Sequence, residues 1–170
     1  SKYIHKIYVF GQSEIYHYVN LFGVPREKFV AETLGIADIA DEIHAMPPKR
    51  TDKFYIAPGR SNWDYNFLRR AWQQVDAKLC IVCDVETAQD NANIHYEKDL
   101  NGNEYQRLLA DAYVVIVPLQ SETFSSGQLV LLQAAMLGKP VIVTKNDTVC
   151  DYLVDGVTGF EIAKTPEALQ

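Results

Sequence analysis

The sequence predicts an α/β fold, a doubly wound parallel sheet with helices on both faces. Three observations carry this expectation. Strand-like and helix-like segments alternate along the chain. The strand segments are apolar throughout rather than alternately apolar and polar, the pattern of strands covered on both faces. Finally, a polar loop from Ser121 opens directly into an apolar helix, followed by a β-branched strand and a Gly-punctuated turn ending at Gly159.

Taken in order, residues 6–10 (KIYVF) form a short strand. Glu14 to Phe22 is helical, and Gly23-Val24-Pro25 stops it. Residues 28–35 are a short extended piece closing on Gly35, followed by a short helix at 37–44 and a loop at Met46-Pro47-Pro48. Residues 53–59 are a strand that stops at Pro58-Gly59. Between Asp64 and Val75, the residues Phe67, Leu68, Ala71, Trp72 and Val75 recur at helical spacing. Residues 78–84 are the next strand, and 85–102 are polar and irregular with a strand at 93–96. Residues 104–110 are helical. Residues 112–119 are β-branched, bounded by Pro118, and read as a buried strand. The helix at 127–137 is apolar on nearly every face and is expected in the middle of the fold. Residues 139–144 are the last clear strand, 146–154 are read as helical, and 155–160 as a turn and short strand. Crossovers in such a sheet are right-handed, and ligands bind outside the carboxyl ends of its strands.

At 170 residues the chain suits one well-packed domain. No apolar run approaches the ~20 residues of a membrane-spanning helix. The start, SKYIHKIYVFGQ, lacks an apolar h-region, so no signal peptide is expected. A net charge of −6 argues against general nucleic-acid binding. It leaves room for local anion binding by backbone amides and one or two Arg. Cys80 and Cys83 sit three apart on a strand, hence on opposite faces, and are read as apolar filler rather than a metal or redox pair. With Cys150 alone, this usage suits a reducing cytosol.

Two loops carry the candidate site. After the strand at 53–57, Gly59 permits a tight turn and Arg60 can hold a phosphate through two parallel hydrogen bonds. Ser61 and Asn62 are candidate caps of the next helix. The second loop ends in Ser125-Ser126-Gly127-Gln128, where unpaired N–H groups at a helix start can bind an anion. Gln133, inside the apolar helix, needs a hydrogen-bond partner, either a ligand hydroxyl or a backbone carbonyl. Asp84 and Glu86 follow a strand end where they could line the same crevice, and are read as solvated loop charges. His5, His17, His44 and His95 show no metal-ligand spacing, so no metal site is expected. The absence of G-x-G-x-x-G disfavours a nicotinamide site.

These residues resemble the nucleotide-sugar donor-binding half of GT-B-fold retaining glycosyltransferases of the group 1 type, which is Rossmann-like. Lys28–Gly35 with Ile36 and Asp38 is similar to the hinge between the acceptor and donor halves. Gly59-Arg60-Ser61-Asn62-Trp63-Asp64 is similar to the family's Gly-Arg loop, and Tyr105–Pro118, Ser126–Thr144 and Asp151–Gly159 follow in the family's order. Aligned on Gly138-Lys139-Pro140, the family's two Glu positions hold Ser125 and Gln133, with Glu122 nearby as a substitute for the first. Trp63 stands where a second cation is usual. Losing one charge-assisted bond costs about 1.5–3 kcal/mol of donor affinity.

The resemblance implies residues 1–34 as a remnant of the acceptor domain and hinge, and 35–170 as the donor domain. It implies a UDP-sugar or GDP-sugar as donor, with no cofactor and no metal. Arg60 and Glu122 are the implied catalytic residues. Gly59, Ser61, Asn62, Ser125, Ser126, Gly127, Gln128 and Gln133 are the implied binding residues, with Leu108–Asp111 and the loop after Cys83 flanking the base. A glycan or lipid-linked acceptor, and any membrane contact, would come through the other half, in the cytoplasm or at the inner face of the cell membrane. One half alone is expected to bind donor without turnover. Two rivals stand beside this reading: a nucleotide-sugar epimerase, for which Glu122 is the one convincing carboxylate, and a non-catalytic nucleotide-sugar-binding module.

Overall fold

The structure, a computed structural model, describes residues 3–84 and 92–169. Two groups of elements are present. The first comprises strand β1 (Ile7–Val9), helix α1 (Gln12–Phe22), a 3-10 turn (Arg26–Lys28) and strand β2 (Phe29–Ala31). β1 and β2 pair in parallel over a small core of Val9, Ile15 and Phe29. Gly23 ends α1 in the left-handed region at φ 62°, where glycine carries no Cβ penalty.

The second group is a six-stranded, wholly parallel sheet in the order β5-β4-β3-β6-β7-β8. Its strands are β3 (Tyr55–Pro58), β4 (Leu79–Val82), β5 (Ile94–Glu97), β6 (Val114–Val117), β7 (Val141–Thr144) and β8 (Phe160–Ile162). The chain enters the sheet at its centre, moves to one edge through β5, then returns and moves to the other. Strand order therefore reverses between β3 and β6, and the crevice above their carboxyl ends is the place where such sheets bind ligands. The expectation for Glu86 falls outside the described residues.

The unbroken apolar runs are explained by two cores. Ile56, Cys80, Val115 and Val117 face one side, with Ile43 of α2 (Ala40–Ala45), Leu108 and Leu109 of α4 (Gly102–Asp111), and Leu131 and Ala134 of α5 (Gln128–Met136). Ala57, Leu79, Ile81, Val114 and Ile116 face the other, with Leu68 and Trp72 of α3 (Tyr65–Trp72). Successive residues alternate between cores, so every position is apolar. Cys80 and Cys83 go to opposite faces as filler, as expected. Each fully buried Leu or Ile in these layers contributes about 1.5–3 kcal/mol.

Three sequence expectations need correction. First, α5 is not packed all round: only Gln128, Leu131 and Ala134 are buried, and Leu129 is 50% exposed, because one flank borders the crevice. Second, residues 146–154 are not a helix beyond a 3-10 turn at Val149–Asp151. Asn146 Oδ1 accepts the Thr148 N–H at 2.8 Å, a side-chain bond that competes with a regular helical turn. Third, Ser61 and Asn62 do not cap α3. Asp64 does, accepting the Phe67 N–H at 2.8 Å. Among the described residues, no helix is long and apolar enough to cross a membrane.

Asp64 also meets Lys164 Nζ at 2.8 Å, fastening α3 to the C-terminal segment. Burial opposes its charge, but Lys164 and the Phe67 N–H outweigh burial and hold the carboxyl below its ordinary value. The unfolded chain therefore takes up this proton first. The stabilisation is present above the unfolded value of about 3.9 and is lost as pH falls through the folded one. Asp64→Ala is expected to cost about 1 kcal/mol in urea unfolding at pH 7, with the deficit shrinking toward pH 3. An identical deficit at both pH values would show that the carboxylate's charge contributes nothing.

Candidate functional site

The turn after β3 is built around a glycine that tolerates no side chain. A Cβ on Gly59 would lie 2.0 Å from Cε2 of the Trp63 indole. Trp63 stacks on Tyr65 at 6.0 Å between ring centroids, and the Tyr65 hydroxyl donates to the Gly59 carbonyl at 2.5 Å. Trp63, which stands where a second cation was expected, is thus an aromatic wedge that shapes the turn. Asn62 follows in the left-handed region at φ 58°, a conformation Asn adopts more readily than most residues.

That turn is hydrogen-bonded to the loop after β6. The Asp64 N–H donates to the Pro118 carbonyl at 2.7 Å, the Gln120 N–H to the Asn62 carbonyl at 2.8 Å, and the Ser121 N–H to Asn62 Oδ1 at 3.2 Å. Ser126 Oγ donates to the Ser61 carbonyl at 3.1 Å. From the other side, Thr144 Oγ1 accepts the Leu119 N–H at 2.7 Å, while Asn146 Nδ2 donates to the carbonyls of Ser121 at 2.8 Å and Phe124 at 3.1 Å. Thr144 and Asn146 are both buried, so these bonds are shielded from water. The loop then enters α5 through Gly127 at φ 86°, where a Cβ would meet Val117 Cγ1 at 3.0 Å. Gln128 Nε2 donates to Ser125 Oγ, closing the entry.

The result is a cleft of about 610 Å³. Gly59, Arg60, Ser61, Ser125, Ser126, Gly127, Gln128 and Gln133 all border it. The structure does not bring Asn62 or Glu122 to it. Asn62 is spent on the joint between the loops, and its Nδ2 is buried without a partner. The Glu122 side chain is exposed, and its carbonyl accepts the Asp147 N–H at 2.7 Å. Leu108–Asp111 also lie away from the cleft. Leu108 and Leu109 are core, while Asp111 accepts the Lys49 and Arg50 N–H groups at 2.7 and 3.0 Å and pairs with Arg107, which donates to the Ile43 and Met46 carbonyls at the end of α2.

Further residues border the cleft. Asp84 borders it and accepts Arg60 Nε at 2.9 Å, leaving the Nη groups of Arg60 for a ligand. The start of α4 borders it through Asn101 and Gly102, so two helix N-termini, those of α4 and α5, contribute positive potential. Tyr105 donates its hydroxyl to Gln133 Oε1 at 3.2 Å, and burial pushes its phenol pKa up, so it stays protonated. With Oε1 taken, Nε2 is the end of Gln133 left to donate to a ligand. Phe10 and Leu34 reach the cleft from the N-terminal elements. The sequence offered Asp84 for this crevice, because it follows β4 at the same sheet edge, but read it as a solvated loop charge, and it is paired with Arg60 instead. Phe10 and Leu34 carry no sequence signal, since tertiary packing alone delivers them. Of the histidines, His17 lies 3.3 Å from Asp147 Oδ2 and His95 lies 3.2 Å from Glu97 Oε1.

This arrangement can hold an anionic group against the α5 amides and Arg60, with polar neutral groups around it. Residues 55–170 match the family described as Glycosyl transferases group 1. Comparison of the sequence with characterised proteins gives no significant match. Among solved structures, a glycosyltransferase from Rickettsia africae ESF-5 superposes with a TM-score of 0.77 at 15% identity, over 96% of this chain and 51% of that one. Anabaena Alr3699/HepE, solved in complex with UDP and glucose, gives 0.78 at 15% identity, over 97% and 51%. WaaG, a glycosyltransferase involved in lipopolysaccharide biosynthesis, gives 0.75 at 18% identity, over 96% and 51%. The chain therefore spans about half the length of these structures and has the Rossmann-like architecture of one half of a GT-B glycosyltransferase. The chain belongs to the glycosyl transferases group 1 family.

Proposed function

We propose that the cleft binds the nucleoside diphosphate of a sugar donor, and that the chain is the donor-binding half of a retaining, metal-independent glycosyltransferase. One observation carries the reading: Arg60 and the free amides at the start of α5 border the same cleft at the strand-order reversal. Two structural relatives support it, one solved with UDP and glucose and one named for lipopolysaccharide biosynthesis. In this reading the diphosphate rests on the α5 N-terminus and the Nη groups of Arg60. Charge accumulates on the departing diphosphate as the glycosidic bond breaks, so these contacts strengthen toward the transition state. Gln133 donates to a ribose hydroxyl through Nε2. The acceptor, a glycan or lipid-linked sugar, is met by a second half of similar size. That half would also bring any membrane contact, at the cytoplasmic face.

The epimerase reading is weaker. It requires acid and base carboxylates at the cleft, and among the described residues Asp84 is the one Asp or Glu there, already paired with Arg60. Glu122, the candidate from sequence, lies outside.

Calorimetric titration with UDP, GDP and uridine tests the proposal. Arg60→Ala is expected to weaken UDP at least tenfold, the loss of one charge-assisted bond of about 1.5–3 kcal/mol, and uridine less than twofold. Equal losses for both ligands would remove Arg60 from the diphosphate. Gly127→Ala, forced to hold a positive φ against Val117, is expected to cost about 1–2 kcal/mol of stability and to weaken UDP by disturbing the first α5 amides. Retention of full UDP affinity in that variant would displace the anion from α5. The 170-residue chain is expected to bind UDP without transferring sugar.

A further inference from the structure

The N-terminal elements have a core of their own, Val9, Ile15 and Phe29, distinct from the two cores of the large sheet. Polar contacts to the body converge on one short segment after β7. Ser13 Oγ donates to Asp151 Oδ2 at a long 3.4 Å, and His17 lies 3.3 Å from a half-exposed Asp147. Gly11 passes so close that a Cβ there would stand 2.6 Å from Asp151 Oδ2. The short contacts belong to Tyr152. Its hydroxyl donates to the Phe10 carbonyl at 2.5 Å and accepts the Leu34 N–H at 2.9 Å.

Those two partners flank the elements: Phe10 follows β1 and Leu34 follows β2. One oxygen therefore ties the carboxyl ends of both parallel strands at once. The Tyr152 ring is partly buried and packs against the core that includes Val149 and Leu153. Both gripped residues, Phe10 and Leu34, also form the lip of the cleft.

We infer that Tyr152 is a positioning residue for ligand binding: its hydroxyl clamps the Phe10 and Leu34 backbones and thereby sets how closely the N-terminal elements cover the cleft. This rests on the reading of the cleft as a nucleotide site, but the clamp itself is measurable without a nucleotide. Removing the hydroxyl frees one donor and one acceptor while the ring keeps its packing. The N-terminal elements then sample open positions, and ligand escapes faster.

The test is Tyr152→Phe in the 170-residue chain, with two readouts. In amide hydrogen exchange without ligand, segments 8–14 and 30–36 are expected to exchange about fivefold faster or more, while 54–58 and 114–117 stay unchanged, which also shows that the sheet is folded. In UDP titration followed by intrinsic tryptophan fluorescence, Kd is expected to rise about fivefold, through the dissociation rate. Ser13→Ala, which removes only the long contact, is expected to move either readout less than twofold. Unchanged exchange in Tyr152→Phe overturns the clamp. Faster exchange with unchanged UDP affinity overturns its control of the cleft. If the parent chain binds no UDP, the nucleotide reading falls, and with it the role in ligand binding, while exchange still decides whether the clamp exists.

Discussion

The hydrogen bonds between the turn after β3 and the loop after β6 are the constraint on which the site depends. Strand order alone brings β3 and β6 side by side and leaves a crevice above them. It does not fix where Arg60 stands relative to the first turn of α5. That relation is set by Asp64 bonded to Pro118, Gln120 and Ser121 bonded to Asn62, and Ser126 bonded to Ser61. Each such bond contributes about 0.5–1.5 kcal/mol net. Ordering a loop residue costs about 1–2 kcal/mol, so a loop of this length stays in one conformation only when it is tied at many points. The left-handed backbone of Asn62 is part of that cost, and its carbonyl and Oδ1 both work in the joint.

The same loop is held from the far side by buried polar groups rather than by apolar packing. Thr144 and Asn146, at the end of β7, take the place of the strand ladder that the loop has left. A buried amide is costly without partners, and Asn146 satisfies both of its ends, against two carbonyls and the Thr148 N–H and hydroxyl. That network explains at once why the loop is fixed and why the following segment fails to become a regular helix. The site is therefore preorganised by the fold, which matters for any reaction whose charge develops at the loop.

The sheet was legible in the sequence because its signal is local: apolar runs in strands and helical spacing in α3 depend on neighbours within one element. Gly59, Arg60 and the Ser125–Gln128 loop were legible for a related reason, since each sits at the carboxyl end of a predicted strand. What was not legible depends on partners far away in sequence. Glu122 looked like a cleft residue by proximity to Ser125, yet the Asn146 and Asp147 bonds turn that stretch outward. The segment at 146–154 had the composition of a helix, and a single Asn side chain overrode it. The α5 helix looked central because its residues are apolar all round, whereas the fold uses only one stripe of it as core and presents another flank to the crevice.

The cleft that results is polar without being strongly charged. Among the described residues at its wall, Arg60 is the one cation, and Asp84 already answers it. An ion pair this exposed contributes little to stability, about 0–1 kcal/mol, so its consequence is orientation. Nε is committed and the outer edge of the guanidinium is presented to the cleft. The remaining attraction for an anion comes from the N-termini of α4 and α5, whose dipoles are fixed by the backbone and cannot be screened by rearrangement of a side chain. Gln133 fits the same logic. Where a carboxylate would add a negative charge beside a bound diphosphate, an amide held by Tyr105 offers a donor with no repulsion. Among the described residues, a second cation and a carboxylate beyond Asp84 are both absent from the wall, so in the proposed reading less positive charge is available to a diphosphate and less negative charge opposes it.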